Sequence, residues 1–437
     1  MSKTISYFKN RYIFKGSFAT NVLTLMTGTT IAQLILLAAS PVLTRIYIPK
    51  DFGIYTLYIS MASLIAILST GRYELAVMLP DNDEDAINIV GLIIMLSFLI
   101  SLVALIILWI FNVPIAKMLG ILEVSIWLYL VPLMVFLTGI YQAFYYWLNR
   151  KKQYKRLAEN KIIQAVLTAG ISVAMGATGL GVTGLVVGAT LGQVIATGII
   201  GWQAWKENKG MIALLRYYKI KKQIGRYQRF PLYCLPADFL NVASNQAPAV
   251  LLSSFFGPIV TGFFGLTQRV LGTPVSLIST SVFDVFKERA SSDYRKDGNC
   301  RDIYIKTFKG LFLLSIIPFM IFFFTAPKLF SIIFGKNWIV AGEYAQILSL
   351  MFFFRFTCSP LTYVLYIAQK QNYDLVWQIA LFIAIISSII TGAYWNSAKV
   401  SMICLSLSYS IMYIIYFLLS YHFAKGNTIC QRRKVFS

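Results

Sequence analysis

Twelve stretches of about 20 mostly uncharged, apolar residues run through this chain of 437 residues, and they constrain its fold more than any other feature. A helix of that length crosses the ~30 Å of hydrocarbon in a bilayer. The mean hydropathy of +0.69 and a charged fraction of only 13% exclude an ordinary soluble domain. We therefore predict an all-α integral membrane protein with about 12 transmembrane helices, at residues 20–43, 53–71, 87–111, 125–148, 160–178, 181–204, 232–255, 259–282, 309–331, 343–367, 374–395 and 400–422.

The basic residues divide unequally between the two sides of the membrane. With the loops numbered in order, thirty of the 39 lysines and arginines fall on one side and six on the other. The richer side includes both chain termini and the loops at 149–161, 206–229 and 283–309. The positive-inside rule then predicts a multi-pass membrane protein with cytoplasmic termini, which requires an even number of spans. The net charge of +22 is explained by these loops, so we expect contact with anionic membrane lipids and no nucleic-acid partner.

Several classes of protein are excluded by the motifs that the sequence lacks. The basic N-terminal segment leads into a span of about 24 residues, which is too long for the apolar core of a cleavable signal peptide. The five cysteines are scattered without a C-x-x-C pair, His422 is the only histidine, and no nucleotide-binding or zinc-protease motif occurs. We expect no metal, no cofactor and no enzyme activity, and the outer loops are too short for a folded domain.

An internal repeat with an offset of 209 residues relates the two halves of the chain. The segment Pro49-Lys-Asp-Phe-Gly53 aligns with Pro258-Ile-Val-Thr-Gly262, and both stand at the entrance to a predicted span. Proline sets a rigid turn there, and glycine permits close backbone approach at the start of the helix.

The repeat divides the chain into an N-terminal six-helix bundle at 1–205, a basic cytoplasmic linker at 206–229 and a C-terminal six-helix bundle at 230–437. Six spans per half give both bundles the same orientation, so a pseudo-twofold axis along the membrane normal is predicted. The linker alternates basic and aromatic residues, which predicts an amphipathic helix on the inner leaflet. By analogy, two such bundles are the architecture of an alternating-access transporter.

Two local patterns predict helix packing and a helix start. Gly184, Gly188 and Gly192 recur every fourth residue and form a ridge against which a neighbouring helix packs closely. The acidic run at 81–85 is typical of a solvated helix N-terminus, where negative charge is favourable.

Five charged residues fall inside or at the ends of predicted spans: Arg72, Glu74, Asp238, Arg269 and Arg355. Each costs at least ~2.5 kcal/mol on insertion scales, so such residues usually face a cavity or a partner. Several arginines facing one cavity would suit an anion, and phosphate matches guanidinium geometry best. Arg72 and Glu74 are two residues apart and would not share a helix face, so we do not expect them to pair; snorkelling at the span end is the alternative for both. Asp238 is either a cation or proton site or the salt-bridge partner of an arginine.

The sequence resembles the Wzx-like polysaccharide and O-antigen flippases of the multidrug/oligosaccharidyl-lipid/polysaccharide (MOP) exporter superfamily. Length and number of spans agree, and the resemblance covers nearly the whole chain. The motifs that carry it are Ser40-Pro-Val-Leu-Thr-Arg45, Pro49-x-Asp-Phe-Gly53-x-Tyr55, Arg72-Tyr-Glu74-x-Ala76 with Leu79-Pro80, and Gln268-Arg269-Val-Leu-x-x-Pro274 followed by Val282-Phe283-x-x-Phe286.

This resemblance implies that the protein flips an undecaprenyl-pyrophosphate-linked oligosaccharide from the cytoplasmic to the periplasmic leaflet. It implies a cationic cavity, for which Arg72, Arg269 and Arg355 are the expected pyrophosphate or glycan contacts. Asp238 and Glu74 are the expected sites of ion coupling or charge pairing. The expected partners are the lipid-linked oligosaccharide, membrane lipids, a polysaccharide polymerase and a chain-length regulator.

Three other functions remain open at this point. A multidrug or cation exporter of the same superfamily needs an acidic, aromatic cavity, whereas the spans here hold more arginine than carboxylate. A membrane glycan polymerase or ligase typically carries a sizeable periplasmic loop, which is not predicted here. A scaffold of the glycan assembly complex would transport nothing itself.

Overall fold

The computed structural model describes the backbone of residues 2–207, 210 and 214–426, and the side chains from residue 24 onwards within those ranges, except that of residue 207. The basic residues counted at the N-terminus, and the tail beyond residue 426, therefore lie outside the described side chains. All regular structure in these ranges is helical: α1 (Ser2–Ile46), α2 (Pro49–Ser69), α3 (Asp83–Met118), α4 (Val124–Leu128), α5 (Val131–Arg150), α6 (Tyr154–Ala177), α7 (Val182–Glu207), α8 (Tyr217–Arg226), α9 (Leu235–Phe256), α10 (Pro258–Thr267), α11 (Thr273–Asp297), α12 (Arg301–Phe334), α13 (Ile339–Cys358), α14 (Val364–Ile367), α15 (Gln371–Tyr394) and α16 (Ala398–Ala424), with short 3₁₀ or π segments between some of them.

Ten helical segments among the described residues are long and apolar enough to cross a membrane, which makes this a multi-pass membrane protein. They fall at ten of the twelve predicted positions. The other two positions, 232–255 and 259–282, are helical as well, in α9 and in α10 and α11. These helices carry more polar side chains and are interrupted by π-helical turns, so their apolar character is weaker. The total of twelve spans stays a prediction.

Contacts between Cα atoms group the chain into two compact units. Unit 1 comprises Met1–Leu43, Met61–Asn112 and Ser125–Phe239, and unit 2 comprises Thr44–Ser60, Val113–Val124 and Leu240–Ser437. Two short stretches of the N-terminal half thus belong to unit 2. The predicted bundle boundaries at 205 and 230, and the axis relating the bundles, stay predictions.

Within unit 1, the glycine ridge of α7 packs against α6 as predicted. A Cβ atom added to Gly188 would lie 2.3 Å from the Ser172 hydroxyl, and one added to Gly192 would lie 2.1 Å from the Thr168 hydroxyl. Only glycine allows helices to approach this closely. The ridge is therefore a packing surface.

Within unit 2, the two copies of the repeat contact each other. A Cβ atom at Gly53 would lie 1.9 Å from the carbonyl oxygen of Pro258, and one at Gly262 would lie 1.9 Å from the carbonyl oxygen of Pro49. The starts of α2 and α10 therefore touch reciprocally, backbone against backbone. The buried Trp338 packs against both helices at this junction, because its ring centre lies 4.9 Å from that of Phe52 in α2 and 5.9 Å from that of Phe263 in α10.

The acidic run begins α3 as predicted, but it is paired rather than simply solvated. Asp83 accepts from Arg150 at 3.1 Å and also pairs with Lys151. Glu84 and Asp85 instead hold the linker helix α8, by a 2.5 Å contact with Lys219 and a 3.7 Å contact with Arg226. The hydrogen bond that the Lys219 ammonium donates to Glu84 raises the pKa of this ammonium. The acidic run thus holds α8 against the start of α3 by ion pairs. The spacing of the acidic residues in the sequence did not indicate these partners.

Candidate functional site

A cavity of about 590 Å³ lies entirely within unit 2 and brings two of the predicted site residues, Arg269 and Arg355, to one place. Helices α2, α9, α10, α11 and α13 supply most of its walls, and the rest comes from the π-helical turn before α11 and the 3₁₀ turn after α13. The lining residues are Tyr55, Thr56, Ile59, Ser60, Asn245, Gln246, Ala249, Phe264, Gly265, Gln268, Arg269, Gly272, Val275, Ser276, Ser279, Thr280, Phe283, Arg355 and Ser359.

Arg269 is positioned by a local break in helical geometry. It lies in the π-helical turn Gln268–Gly272 that joins α10 to α11. Pro274 follows directly and lacks the N–H that an α-helix would need at that point, so the wider turn relieves a missing hydrogen bond. Such turns are frequent at functional sites. The Arg269 guanidinium lies 5.7 Å from the ring centre of Tyr55 and 5.9 Å from that of Phe52, which orients it without neutralising its charge.

Arg355 reaches the same cavity from the last turn of α13. Its Nη2 donates to Oδ1 of Asn245 at 3.1 Å, and the Asn245 amide donates in turn to the carbonyl of Asn241 at 2.8 Å. These two hydrogen bonds hold the Arg355 guanidinium in place through a neutral side chain. Three or more of its N–H groups stay available to a ligand.

The cavity is polar and carries a positive charge. Its described lining contains the two arginines and no aspartate or glutamate, and neither arginine forms an ion pair with any described residue. Amide and hydroxyl groups cover much of the remaining wall; Ser60, for example, donates to the Gln246 side chain at 2.9 Å. The Ser279 hydroxyl is buried and has no partner within the described chain. Such a surface suits an anion that carries hydroxyl groups.

The third predicted arginine, Arg72, is held in a different way, in unit 1. Its Nη1 donates to Oε1 of Glu74 at 2.9 Å, so the expectation that these two residues do not pair is wrong. That expectation assumed an α-helix. Arg72 instead has a left-handed backbone (φ +61°) and precedes the 3₁₀ helix Tyr73–Met78, which brings side chains two apart together.

Asp238 completes this charged cluster. Its Oδ2 lies 2.7 Å from Nε of Arg72, in an ion pair whose N–H is not directed at the oxygen. The Glu74 side chain is only 3% exposed, and its Oε2 has no hydrogen-bond partner among the described residues. Arg72 thus lies between two carboxylates, and of the two alternatives for Asp238 the salt bridge to an arginine is present.

Lys161 was counted with the loops in the sequence but lies within a helix. Helix α6 begins at Tyr154, which places Lys161 two turns inside a membrane-spanning segment. Its ammonium donates to the Thr29 hydroxyl at 3.0 Å and lies 5.3 Å from the ring centre of Tyr145. It pairs with no carboxylate of the described chain, and charge counting along the sequence had assigned it to a loop. An early helix start was the signal that could have revealed it.

The sequence also gave no reason to select Asp374. This carboxylate is 6% exposed in α15 and accepts hydrogen bonds from Tyr366 and Gln378, both at 2.8 Å, and from Tyr416. Three donors around a buried carboxylate make a satisfied network in the protein interior. We interpret it as structural.

A comparison with known protein families decides the relationship of the chain. The family described as "Polysaccharide biosynthesis protein" matches residues 42–343, more than half of the sequence. The chain belongs to this family. The relationship that the sequence motifs predicted is thereby confirmed.

One relative of the chain agrees with that assignment. The succinoglycan biosynthesis transport protein ExoT of Rhizobium meliloti (strain 1021) is 21% identical over 316 residues, which covers 71% of this chain and 61% of ExoT. The chain thus spans less than two thirds of the length of that relative.

Solved structures show the same fold at low sequence identity. The lipid II flippase MurJ in an inward closed conformation superposes with a TM-score of 0.75 at 14% identity, over 92% of this chain and 87% of MurJ. An inward-facing multidrug resistance MATE transporter of the MOP superfamily gives 0.67 at 14% identity, over 91% and 94% of the two chains. The polysaccharide biosynthesis protein therefore has the fold of MOP-superfamily transporters.

Proposed function

We propose that this protein is a flippase that moves an undecaprenyl-pyrophosphate-linked oligosaccharide from the cytoplasmic to the periplasmic leaflet by alternating access. A glycan and a pyrophosphate cannot cross ~30 Å of hydrocarbon unaided, whereas the polyprenyl tail remains soluble in lipid. The protein then needs a polar compartment for the head group only. We further propose twelve spans in two six-helix bundles, an inner-membrane location and cytoplasmic termini, for which the distribution of basic residues is the support.

The observation that carries this proposal is the charge of the unit 2 cavity. Arg269 and Arg355 both line it, and no carboxylate belongs to its described lining. Guanidinium groups bind phosphate oxygens bidentately, so two of them suit a pyrophosphate. The surrounding amides and hydroxyls offer hydrogen bonds to sugar hydroxyls. A cationic drug would find neither a carboxylate nor a negative field in this cavity, which is the reason we place a cation exporter second.

Arg269 and Arg355 have different roles in the proposed mechanism. Arg269 has no hydrogen-bonded side chain to displace and is oriented only by aromatic rings, so it can close on a phosphate as the ligand enters. Arg355 is already fixed by Asn245 and provides a rigid contact. Arg72, which we expected to contact substrate too, is neutralised by Glu74 and Asp238; its role in binding requires that a ligand displace one of them. Ion coupling at Glu74 or Asp238 stays a proposal; Oε2 of Glu74 is buried and has no hydrogen-bond partner among the described residues.

A cell-based assay of leaflet location tests the proposed function. In a strain lacking the protein, polyprenyl-linked repeat units should accumulate on the cytoplasmic side, where a membrane-impermeant glycosidase added to intact spheroplasts cannot cut them. The wild-type gene should restore their exposure and the surface polymer. Normal exposure of single repeat units in the deletion strain would contradict flipping and would favour a polymerase, a ligase or a scaffold.

Substitutions in the cavity connect that activity to the site. A charged hydrogen bond contributes about 1.5–3 kcal/mol, so Arg269→Ala or Arg355→Ala should lower the flipping rate by about 10- to 100-fold. Lys328→Ala is the matched control, because this exposed cation of unit 2 lies outside the cavity. Equal activity of all three variants at equal expression would refute the assignment of the cavity. Two results together would favour the exporter. Glycan flipping would be normal in the deletion strain, and that strain would lose export of a cationic dye until the wild-type gene is returned.

A further inference from the structure

A second cavity, of about 230 Å³, lies in unit 1 and is apolar throughout. It is formed by the first turns of α3, the last two turns of α7, Phe144 of α5 and Leu215 of the linker. Asp83 at the start of α3 and the linker after α7 are the predicted cytoplasmic ends of these helices. The groove therefore lies at the depth of the inner leaflet in the predicted orientation. Its lining residues are Ile87, Val90, Gly91, Ile94, Phe144, Gly201, Trp205 and Leu215.

Two glycines and the linker give this groove its shape. A Cβ atom at Gly91 would lie 2.6 Å from Cδ2 of Leu215, and one at Gly201 would lie 3.2 Å from the Phe144 ring. The absence of side chains at these positions opens the groove, and Leu215 covers one end of it. The adjacent backbone is fixed, because the amide of Arg216 donates to Oδ1 of Asn88 at 3.0 Å. The groove is thus a built feature and not only a gap between lipid-facing side chains.

The rim of the groove has the chemistry of a membrane interface. Trp205 is 53% exposed, and exposed tryptophan and tyrosine side chains concentrate at the level of lipid headgroups. A cation follows directly after each of two lining residues: Lys206 after Trp205, and Arg216 after Leu215. Both side chains are exposed, and neither pairs with a carboxylate of the described chain. The Lys206 ammonium lies 5.1 Å from the ring centre of Trp202, a contact that leaves its charge unneutralised. An apolar slot with two such cations adjacent in sequence to its lining fits a molecule with an apolar chain and an anionic head.

We propose that this groove is a specific binding site for an anionic phospholipid of the inner leaflet, with one acyl chain in the slot and the phosphate between Lys206 and Arg216. The groove lies at the predicted depth of the inner leaflet, where anionic phospholipids are the abundant molecules with an apolar chain and a phosphate, so the occupant is a phospholipid rather than the polyprenyl carrier. The site is separate from the unit 2 cavity and does not depend on the proposed flipping. The bound lipid anchors the linker, because the same segment supplies Leu215 and Arg216.

Native mass spectrometry of the intact protein in detergent tests this site. Phosphatidylglycerol and phosphatidylethanolamine with the same acyl chains are titrated separately, and the wild-type protein should retain the anionic lipid preferentially. Each cation near a lipid surface changes affinity by about five-fold, so Lys206→Gln/Arg216→Gln should lower phosphatidylglycerol affinity by about 25-fold. The control Lys221→Gln/Lys222→Gln removes the same charge from exposed positions on α8 and should leave the affinity unchanged.

Filling the slot tests the acyl-chain half of the proposal. Ile94→Trp should abolish retention of the lipid, whereas Leu102→Trp, on the lipid-exposed surface of the same helix two turns further along, should not. Equal binding of the two phospholipids to the wild-type protein would overturn the proposal, as would equal losses in the two charge variants. Displacement of phosphatidylglycerol by undecaprenyl phosphate at equal concentration would overturn the choice of phospholipid and assign the groove to the carrier.

Discussion

Substitution of Gly53 by alanine is the sharpest test of the helix junction in unit 2. The added Cβ would lie 1.9 Å from the carbonyl oxygen and 2.6 Å from the carbonyl carbon of Pro258. These are backbone atoms, so no side-chain rotation can relieve the clash. Because ordinary contacts begin at 3.4 Å and this one would be 1.9 Å, the starts of α2 and α10 must separate by about 1.5 Å.

Two opposing effects set the expected magnitude. Overpacking of a close contact costs about 1–3 kcal/mol, and a backbone clash of this size belongs at the upper end. Alanine improves helix propensity over glycine by up to about 1 kcal/mol. The net result is a loss of about 2 kcal/mol. Separation of the helices would also weaken the contacts that the buried Trp338 makes with Phe52 and with the Thr44 carbonyl.

Gly170 provides the matched control. It also lies within a membrane-spanning helix, α6, and a Cβ there would meet no atom within 4 Å. Gly170→Ala should therefore be neutral or stabilising by up to about 1 kcal/mol. The free energy of unfolding in mixed micelles of increasing denaturing-detergent content, followed by intrinsic tryptophan fluorescence, gives the difference between the variants, which should be about 3 kcal/mol.

The reciprocal contact between Gly53 and Gly262 gives a second, independent prediction. Gly262→Ala should cost as much as Gly53→Ala, because its Cβ would meet the Pro49 carbonyl at the same 1.9 Å. The double variant should cost less than the sum of the two, since one substitution has already separated the helices. If Gly53→Ala is as stable as Gly170→Ala, or if the two costs simply add, the two repeats do not touch in this way.

Three further predictions concern charged groups. Lys161→Gln should leave the free energy of unfolding nearly unchanged, because the cation has no carboxylate partner in the described chain to leave behind. Arg72→Gln should instead lower the free energy of unfolding by about 1–3 kcal/mol, since it leaves the buried Glu74 uncompensated. The opposite pattern, a stable Arg72→Gln variant and an unstable Lys161→Gln variant, would reverse these roles. Asp374→Leu should lower the free energy of unfolding by about 3 kcal/mol, because three hydrogen-bond donors lose their acceptor, and Asp374→Asn should lower it less. A transport defect in a stable Asp374→Asn protein would contradict a structural role. Glu84→Gln/Asp85→Asn should speed amide hydrogen exchange in α8 by up to about five-fold per broken ion pair, whereas the control Asp81→Asn should not. Equal protection of α8 in both variants would show that other contacts hold this helix.

Structural features that depend on residues close together in the sequence were predictable from it. The positions of the membrane-spanning helices follow from apolar runs, because a helix in lipid must satisfy its own backbone over the whole apolar thickness. The close approach at Gly188 and Gly192 follows from a four-residue spacing that puts both on one helix face. The repeat around Gly53 and Gly262 could be aligned as well, although nothing in the alignment indicated that its two copies contact each other.

Patterns that depend on tertiary contacts or on local departures from the α-helix were not predictable. The pairing of Arg72 with Glu74 needs a left-handed residue followed by a 3₁₀ turn, and helical spacing rules argue against it. The acidic run at 81–85 was recognised as a helix start, but its partners lie at the end of α5 and in α8, far along the chain. Lys161 was misplaced for a simpler reason, because α6 begins about one and a half turns before the apolar run does.

The charges then fall into two physical classes that the sequence could not separate. An arginine within a membrane-spanning segment costs up to about 2.5–3.5 kcal/mol on insertion scales, and neither Arg269 nor Arg355 pairs with a carboxylate of the described chain. Under the proposed function, the substrate anion is the partner that would offset this cost. Arg72 is already surrounded by two carboxylates, which with both ionised give its cluster a formal charge of −1, and a second anion approaching it would be repelled. Under the proposed function, a pyrophosphate would therefore bind in unit 2 and would be repelled at Arg72 as long as both Glu74 and Asp238 remain beside it.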